Sequence, residues 1–438
     1  MKRPFVFLSV LLIAAESCTP ELDKPEITSG SANVERFVIV GDGYLSGFSD
    51  GALGRNDQQF SVGALLFQSL SQGGALSFEQ ALMPYDEGLG RNAKNWESQF
   101  VSRSELGTRI DCEGLSSLGP VKRMYTTGDA QAYLDPVTVS SLHDLTVPYM
   151  SLTEYVASGI PANEYANRFC SSCTGGVMDK ITEANPTFFA MMPGMEDLFR
   201  YVRNGGFNIN LTDAATFEAA LDVMLQRLNC KGVLATIPDF RTMPFYTTIP
   251  WNGADLDQEN ADSLTSIYAS AGMNHIQFHE GKNGFIIQDP NAGGGYRQLL
   301  NGEYILLTVP LDSMKCSYYG IMINPIHDRY ALDSAEIAQI DATRDAYNTA
   351  IRNKAQQYDL ALADLDEYYT KLNSGITWNG VLYNSVFVSG NFFSLDGFHP
   401  TQKGSNLIAN QFILAINAHY GSSFPTIYCN DCNSIKFP

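Results

Sequence analysis

Short runs of consecutive apolar residues alternate along this chain with longer segments whose apolar residues recur at helical spacing. The apolar runs are residues 37–40, 232–237 and 360–365. Runs of this length are typical of strands buried on both faces, as in a parallel sheet. The segments with helical spacing are residues 212–228, 334–355, with Ser334 as N-cap, and 405–419. The alternation predicts an α/β fold with a doubly wound, flavodoxin-like parallel sheet.

Two segments interrupt this alternation. Residues 100–145 are mixed and polar, and residues 245–330 carry three consecutive glycines between the apolar residues 285–287 and 304–309. The second pattern predicts a hairpin or a small β-rich insertion. We therefore expect one domain over residues 34–438, with insertions at about 100–145 and 245–330.

The N-terminal residues have the features of a targeting segment. Lys2 and Arg3 precede an apolar stretch over residues 5–15 that is too short to span a bilayer. The sequence Ala15-Glu16-Ser17-Cys18 resembles a bacterial lipoprotein processing site, which makes residues 1–17 the signal peptide and Cys18 the acylated residue. An ordinary secretory signal with a chance cysteine is the alternative. Residues 18–33 are rich in Pro, Ser and Gly, which predicts a flexible tether. We expect an exported protein, lipid-anchored to the bacterial cell envelope at the periplasmic or surface face of the outer membrane.

Charge and glycine spacing narrow the range of partners. The formal net charge of −19 repels nucleic acid and anionic lipid, so we expect no nucleic-acid partner. Gly41, Gly43 and Gly47 do not match the spacing of a dinucleotide-binding loop. We therefore expect no cofactor, and a small-molecule or glycan ligand instead.

The cysteines predict disulfide bonds. An exported protein meets an oxidising compartment, so two pairs at C-x-x-C spacing favour local or crossed disulfides. Zinc bound by the four thiolates is the alternative. The pairs are Cys170 with Cys173 and Cys429 with Cys432, while Cys112, Cys230 and Cys316 remain, so at least one thiol is expected to be free.

Candidate chemistry lies near the C-terminal end. Asp396, Gly397, Phe398 and His399 form a D-x-x-H group that Pro400 follows at once. A carboxylate and an imidazole three residues apart on one loop are the orienting and base components of a nucleophilic hydrolase triad. The group predicts a hydrolase-type site, provided that the rest of the chain supplies a nucleophile.

A first strand ending in Gly41-Asp42-Gly43, with D-x-x-H-P before the last helix, resembles the SGNH (GDSL-type) hydrolase family over most of residues 34–420. The likeness is strongest toward the lipoprotein branch seen in Bacteroidetes, through residues 41–47, 184–189 and 394–401. Family members include esterases, lipases, acyl thioesterases and carbohydrate deacetylases. The resemblance implies a sheet of SGNH-hydrolase type and a site built for ester hydrolysis.

The resemblance also assigns roles to single positions. The family uses a serine nucleophile, a glycine N–H and an asparagine amide for the oxyanion hole, and an aspartate–histidine pair that activates the serine. Asp396 and His399 match the activating pair. The nucleophile position holds Gly43, the glycine position falls at Tyr149, and the asparagine position holds Glu196.

These three departures argue against the family's reaction. Gly43 has no hydroxyl, so no acyl-enzyme can form on it. An ionised Glu196 would place negative charge where an oxyanion develops, whereas a donor there is worth roughly 3–4 kcal/mol. The ring of Tyr149 would crowd the pocket. We therefore expect a degenerate member that binds a glycan or acylated sugar without serine-ester chemistry.

Three alternatives remain open. The first is an active ester hydrolase, in which Ser46 or Ser49 is a displaced nucleophile or His399 with Glu196 activates water. The second is a purely structural surface protein. The third is a divalent-cation site formed by Asp42, Glu196, Asp396 and His399.

Overall fold

A five-stranded parallel sheet forms the centre of the computed structural model, which describes residues 26–92, 95–123, 130–139 and 141–438. The spatial order of its strands is β2-β1-β3-β4-β5. This order is the flavodoxin-like one. The predicted doubly wound α/β fold is therefore confirmed. The strands are β1 Phe37–Gly41, β2 Asp144–Thr146, β3 Phe188–Met192, β4 Lys231–Ala235 and β5 Ala361–Ala363.

The register of β1 places its last residue between two neighbours. Gly41 pairs with Thr146 of β2 on one side and with Met192 of β3 on the other. All five residues of β1 are buried, as expected of a central strand in a covered parallel sheet. Ligands of doubly wound sheets bind at the carboxyl ends of the strands, where the strand order reverses. The residues that follow Gly41 lie at that point.

Helices cover the sheet. Helix α2 (Val62–Leu70) packs against α6 (Gln402–Tyr420), and α4 (Ala214–Leu228) packs against α5 (Ser334–Gln357). Helices α2, α5 and α6 also contact strands of the sheet. Asp333, rather than the predicted Ser334, caps α5, because its carboxylate and Glu336 form a capping box. The labelled helices are α1 Gly43–Ser46, α2 Val62–Leu70, α3 Met195–Val202, α4 Ala214–Leu228, α5 Ser334–Gln357 and α6 Gln402–Tyr420. Further helices are Arg55–Gln59, Leu152–Val156, Glu164–Cys170, Met178–Ala184, Pro244–Thr247, Gln258–Ser270, Leu311–Cys316 and Leu365–Thr370.

The two irregular segments contain antiparallel hairpins. In the first segment, Ser104–Ile110 pairs with Ser116–Lys122. In the second, Ile286–Gln288 pairs with Tyr296–Gln298. A tight turn through glycines 294 and 295, both in the left-handed conformation, joins these two strands. Shorter pairs are Phe48–Ser49 with Ala52–Leu53, Gly90–Asn92 with Asn95–Val101, Ala254–Leu256 with Gly281–Asn283, Tyr304–Ile305 with Ala331–Leu332, and Ile376–Trp378 with Val381–Tyr383.

Six cysteines form three disulfides, so the zinc alternative is wrong. Both C-x-x-C pairs close locally, and a long-range bond joins the two irregular segments. Among the described cysteines, Cys230 is the free thiol. The disulfides are Cys112–Cys316, Cys170–Cys173 and Cys429–Cys432.

The N-terminal expectations fall mostly outside the described residues, which begin at residue 26. The described residues therefore do not include the expected signal peptide at residues 1–17, Cys18 or the first part of the tether. The described end of the tether hydrogen bonds to the end of α6, where the N–H of Ser31 donates to the carbonyl of Tyr420 at 2.9 Å. Across the described ranges, the structure contains no helix with the length and apolar character needed to span a bilayer.

Candidate functional site

The loop before α6 holds Asp396 and His399 in a fixed mutual arrangement. Nδ1 of His399 lies 2.8 Å from Oδ2 of Asp396. Oδ1 of Asp396 accepts hydrogen bonds from the backbone N–H groups of Phe398 and His399, at 2.9 and 2.8 Å. Burial acts to raise the pKa of Asp396, but the His399 imidazole and these donors hold it below its ordinary value. The loop therefore presents a carboxylate-oriented imidazole, as a general base requires.

The free edge of His399 faces Gly43. A Cβ atom built on Gly43 would lie 3.2 Å from Nε2 of His399. Within the described residues, Nε2 has no hydrogen-bond partner. A side chain at position 43 would thus point at the base, which is the relation between nucleophile and base in a triad. The structure brings Gly43, Asp396 and His399 together.

Asp42 fixes the turn between β1 and α1. Its Oδ1 accepts the N–H of Tyr44 at 2.9 Å, which makes Asp42 the N-cap of α1. Burial, followed by the negative charge of Glu196, raises the pKa of Asp42 to about 8. Asp42 and Glu196 line the same small space, so the start of α3, where Glu196 lies, is close to the end of β1.

The carboxylate of Glu196 is engaged by arginine. Nη1 and Nη2 of Arg203 lie 2.8 and 2.6 Å from its two oxygens. Side-chain exposure is 6% for Arg203 and 5% for Glu196, so the ion pair is buried. Nε of Arg200 lies 3.4 Å from the same carboxylate. The negative charge expected from Glu196 is therefore neutralised, because its carboxylate forms a bidentate pair with Arg203.

Tyr149 fills the space beside this ion pair. Its ring lies between two guanidinium groups, with Arg91 at 4.5 Å and Arg203 at 4.8 Å from the ring centroid. The backbone of Tyr149 has φ of +61°, a left-handed conformation in which glycine is at ease and a Cβ is strained. The ring of Phe48 meets it edge-on at 5.5 Å. The ring of Tyr149 is therefore packed among Phe48, Arg91 and Arg203.

Arg91, Arg200 and Arg203 were not anticipated from the sequence. Arg203 lies seven residues after Glu196, two helical turns along the same face, and that spacing could have indicated the pair. Arg91 had no such signal, because it reaches Tyr149 from a distant hairpin and forms its own bidentate pair with Glu164.

The displaced serines do not occupy nucleophile positions. The hydroxyl of Ser46 donates to the carbonyl of Gly43 at 3.0 Å and accepts the N–H of Phe48 at 3.2 Å. Both partners are backbone groups, one in the first residue of α1 and one just after the helix ends, so this serine stabilises the helix and its exit. Ser49 lies in the short strand that follows and lines a different cavity.

A small space of about 10 Å³ lies beside Asp42 and Glu196, which is about the room that one water needs. Among the described residues, no group of three or more His, Cys, Asp and Glu side chains is arranged to hold a metal ion. The divalent-cation alternative therefore loses its ligands, because Glu196 is engaged by Arg203, Asp396 by His399 and Asp42 by the backbone N–H of Tyr44.

The similarity of this chain to known proteins is found in structure and not in sequence. No protein-family model matches this chain, and no curated protein matches it in sequence. Among solved structures, the chain is similar to LAE5, an alpha/beta hydrolase enzyme from the metagenome of Lake Arreo, Spain. The two share 12% identity with a TM-score of 0.35, over 89% of this chain and 98% of that one.

A second solved structure is an active-site mutant of a family two carbohydrate esterase from Clostridium thermocellum. It shares 11% identity with a TM-score of 0.22, over 73% of this chain and 64% of that one. Both neighbours are hydrolases, and both likenesses are weak. At these TM-scores they carry no argument about the chemistry of the site.

Proposed function

We propose that this protein is an exported, lipid-anchored member of the SGNH (GDSL-type) hydrolase family, of the lipoprotein branch, that has lost serine-ester chemistry. On this proposal it binds a glycan or an acylated sugar. The observation that carries the loss of chemistry is the pairing of His399 with Gly43. The base faces the place where the nucleophile belongs, and that place has no side chain.

The former oxyanion hole supports the same conclusion. An oxyanion hole stabilises developing negative charge with free, preorganised donors. Here the carboxylate of Glu196 occupies the donor position, and Arg203 is engaged in neutralising it. Tyr149 packs against this ion pair, with its ring centroid 4.8 Å from the guanidinium of Arg203. Because Glu196 and Arg203 satisfy one another, neither offers a donor to a developing oxyanion.

Hydrolysis of aryl acetates and acetylated sugars tests the proposal. The native protein is expected to turn over no faster than its His399→Ala variant. Gly43→Ser is expected to raise the rate at least tenfold, because a serine hydroxyl there would lie within hydrogen-bond reach of Nε2. Combining it with Tyr149→Gly should raise the rate further by opening the hole.

Gly43→Ala is the matched control, since it adds the same Cβ without the hydroxyl. The gain from Gly43→Ser should vanish when His399→Ala is added. Turnover by the native protein that His399→Ala abolishes would refute the loss of chemistry.

One observation favours a second candidate, an ester hydrolase that uses water directly. Nε2 of His399 has no hydrogen-bond partner among the described residues and faces a residue without a side chain, so in this candidate it would take a proton from the attacking water. That enzyme would show His399-dependent turnover in the native protein, and no acyl-enzyme would accumulate. The same assay therefore decides between the two candidates.

A further inference from the structure

A polar cavity lies behind the loop that carries Asp396 and His399. Its volume is about 150 Å³, below the 300–1,000 Å³ typical of sites for drug-sized ligands. It therefore has room for one small ring rather than an extended chain. Four parts of the chain line it: residues 49–57 with Asp86, the segment 103–106 with Arg123, residues 395–402 of the loop and α6, and the tail at 433–436.

The inner wall of this cavity is a fixed network of charges. Arg103 lies between two aspartates, with Nη2 2.5 Å from Oδ2 of Asp50 and Nη1 2.7 Å from Oδ2 of Asp57. Nε2 of Gln402 donates to the other oxygen of Asp57 at 2.8 Å, and the amide oxygen of Gln402 accepts the N–H of Asn433 at 2.9 Å. Because these groups hold one another in place, the wall is preorganised for a ligand.

The mouth of the cavity is different, because its charges are close but loosely paired. Nη1 of Arg123 lies 3.9 Å from Oδ2 of Asp86, and Nη1 of Arg103 lies 3.6 Å from Oδ1. Both distances exceed the 2.7–2.9 Å of a charge-assisted hydrogen bond. Side-chain exposure is 37% for Arg123 and 41% for Asp86. Oδ1 of Asp86 also accepts the N–H of Asn56 at 3.0 Å. Oδ2 of Asp86 and the guanidinium of Arg123 are thus the acceptor and the donor that face the opening with hydrogen-bonding capacity left over.

We propose that this cavity binds one ring of a neutral, polyhydroxylated ligand such as a sugar. Neighbouring hydroxyls can donate to the carboxylate of Asp86 and accept from the guanidinium of Arg123. Four acidic and three basic side chains line the cavity, so neither an anion nor a cation is strongly favoured. The apolar side chains of Leu106, Leu395 and Ile435 provide surface for the C–H face of a ring.

The cavity shares a wall with the loop of the candidate site. The N–H of Leu395 donates to Oδ1 of Asp50 at 2.9 Å, and the N–H of Asp50 donates to Oγ of Ser394 at 2.9 Å. The N–H of Gly51 donates to Oδ2 of Asp396 at 3.2 Å. The inference rests on the proposed glycan-binding function and moves the ligand from the closed pocket at Gly43 to the open cavity behind it.

Titration calorimetry and ligand-observed NMR on the full chain test the proposal. The probes are the methyl glycosides of glucose, galactose and mannose and of N-acetylglucosamine, with glucuronate and glucosamine as charged counterparts. At least one neutral glycoside is expected to bind saturably, and tighter than both charged sugars. Arg123→Ala and Asp86→Asn should each weaken binding at least fivefold. Both side chains are partly exposed, and matching melting temperatures would show that the variants are folded.

Arg352→Ala is the matched control, because Arg352 forms an exposed ion pair with Asp364 at 2.7 Å and does not line the cavity. It should leave the dissociation constant within twofold. Absence of saturable binding by every neutral glycoside, or binding that Arg123→Ala and Asp86→Asn leave unchanged, overturns the inference. Binding lost in His399→Ala but kept in Arg123→Ala would also overturn it, while the proposed function would stand with its ligand at Gly43.

Discussion

The loop that carries Asp396 and the helix that carries Glu196 both hold a carboxylate at low solvent exposure, but they stabilise it in different ways. Asp396 accepts from backbone N–H groups and from the imidazole of its own loop. Glu196 is neutralised by the side chains of Arg203 and Arg200. The donors to Asp396 leave Nε2 of His399 without a hydrogen-bond partner among the described residues. The guanidinium of Arg203 is instead occupied by the carboxylate of Glu196.

The difference shows two ways in which a fold holds a carboxylate at low exposure. The Asp396 network also fixes the conformation of its own loop, because both backbone donors belong to that loop. Around Glu196 the donors are side chains, and buried polar groups left unpaired there would destabilise the fold. The ion pair between Glu196 and Arg203 satisfies those groups.

Breaking the Glu196 pair should give the largest effect. Arg203→Met leaves a buried carboxylate without its bidentate partner, which is expected to lower the free energy of unfolding by about 3–5 kcal/mol. Adding Glu196→Leu to Arg203→Met should recover most of that loss, since an apolar pair of similar volume avoids burying charge. Equilibrium unfolding in urea measures both. A loss below about 1 kcal/mol for Arg203→Met would mean that solvent already reaches Glu196.

Tyr149 offers a test that depends on its backbone conformation. Tyr149→Ala should lower the free energy of unfolding by about 3–5 kcal/mol, as for other buried aromatic residues. Tyr149→Gly should be less damaging than Tyr149→Ala by about 1 kcal/mol, because glycine adopts the left-handed conformation without strain. The measurement is again urea unfolding.

Phe48 is the matched control, a buried ring next to Tyr149 without a left-handed backbone. There the order should reverse, with alanine more stable than glycine by about 0.5–1 kcal/mol. The same order at both positions would contradict the strain assigned to Tyr149.

The contributions of Asp42 and Asp396 to the stability of the fold should change with pH in opposite directions. Burial and the charge of Glu196 raise the pKa of Asp42 from 3.8 to about 8. The folded state then holds a proton that the unfolded state releases, so the contribution of Asp42 to stability is full below pH 4 and is lost as pH rises through 8. Asp42→Asn should therefore gain stability relative to the native protein by more than about 1 kcal/mol between pH 5 and pH 9.

Asp396→Asn gives the opposite comparison. The folded-state pKa of Asp396 is lowered, so its contribution is present above the ordinary pKa of 3.8 and is lost as pH falls through the lowered value. The difference in stability between the native protein and Asp396→Asn should shrink as pH falls from 5 to 3. Thermal unfolding across pH 3–9 measures both variants, and parallel curves for Asp42→Asn and the native protein would refute the raised pKa.

How much the sequence could predict differed between strands. Apolar runs marked β1, β4 and β5, because each is a continuous buried segment. The sequence did not mark β2, since its three residues include Asp144 and Thr146, whose polar side chains bond to each other. Nor was β3 identified as a strand, because its run of Phe, Ala and Met lacks the β-branched residues that favour strands.

The candidate site divides in the same way. Asp396 and His399 were visible because three residues of one loop set their geometry. Gly43, Tyr149 and Glu196 could be placed only through a family resemblance, and their surroundings could not be placed at all. The guanidinium of Arg91 meets Tyr149 through tertiary packing of segments about 60 residues apart in sequence, and no local pattern records such a contact.

Ser46 provides the smallest and most specific test of the comparison, since it lies on α1 three residues after Gly43 and its hydrogen bonds within the described residues are to backbone groups. Ser46→Ala should lower the free energy of unfolding by about 1 kcal/mol, the net worth of a typical hydrogen bond. In the Gly43→Ser background it should leave the rate of aryl acetate hydrolysis unchanged within twofold, because the new hydroxyl at position 43 is the one that faces His399. A loss of turnover in Ser46→Ala on the native background would make Ser46 the nucleophile and reverse the assignment of Gly43 as an empty position.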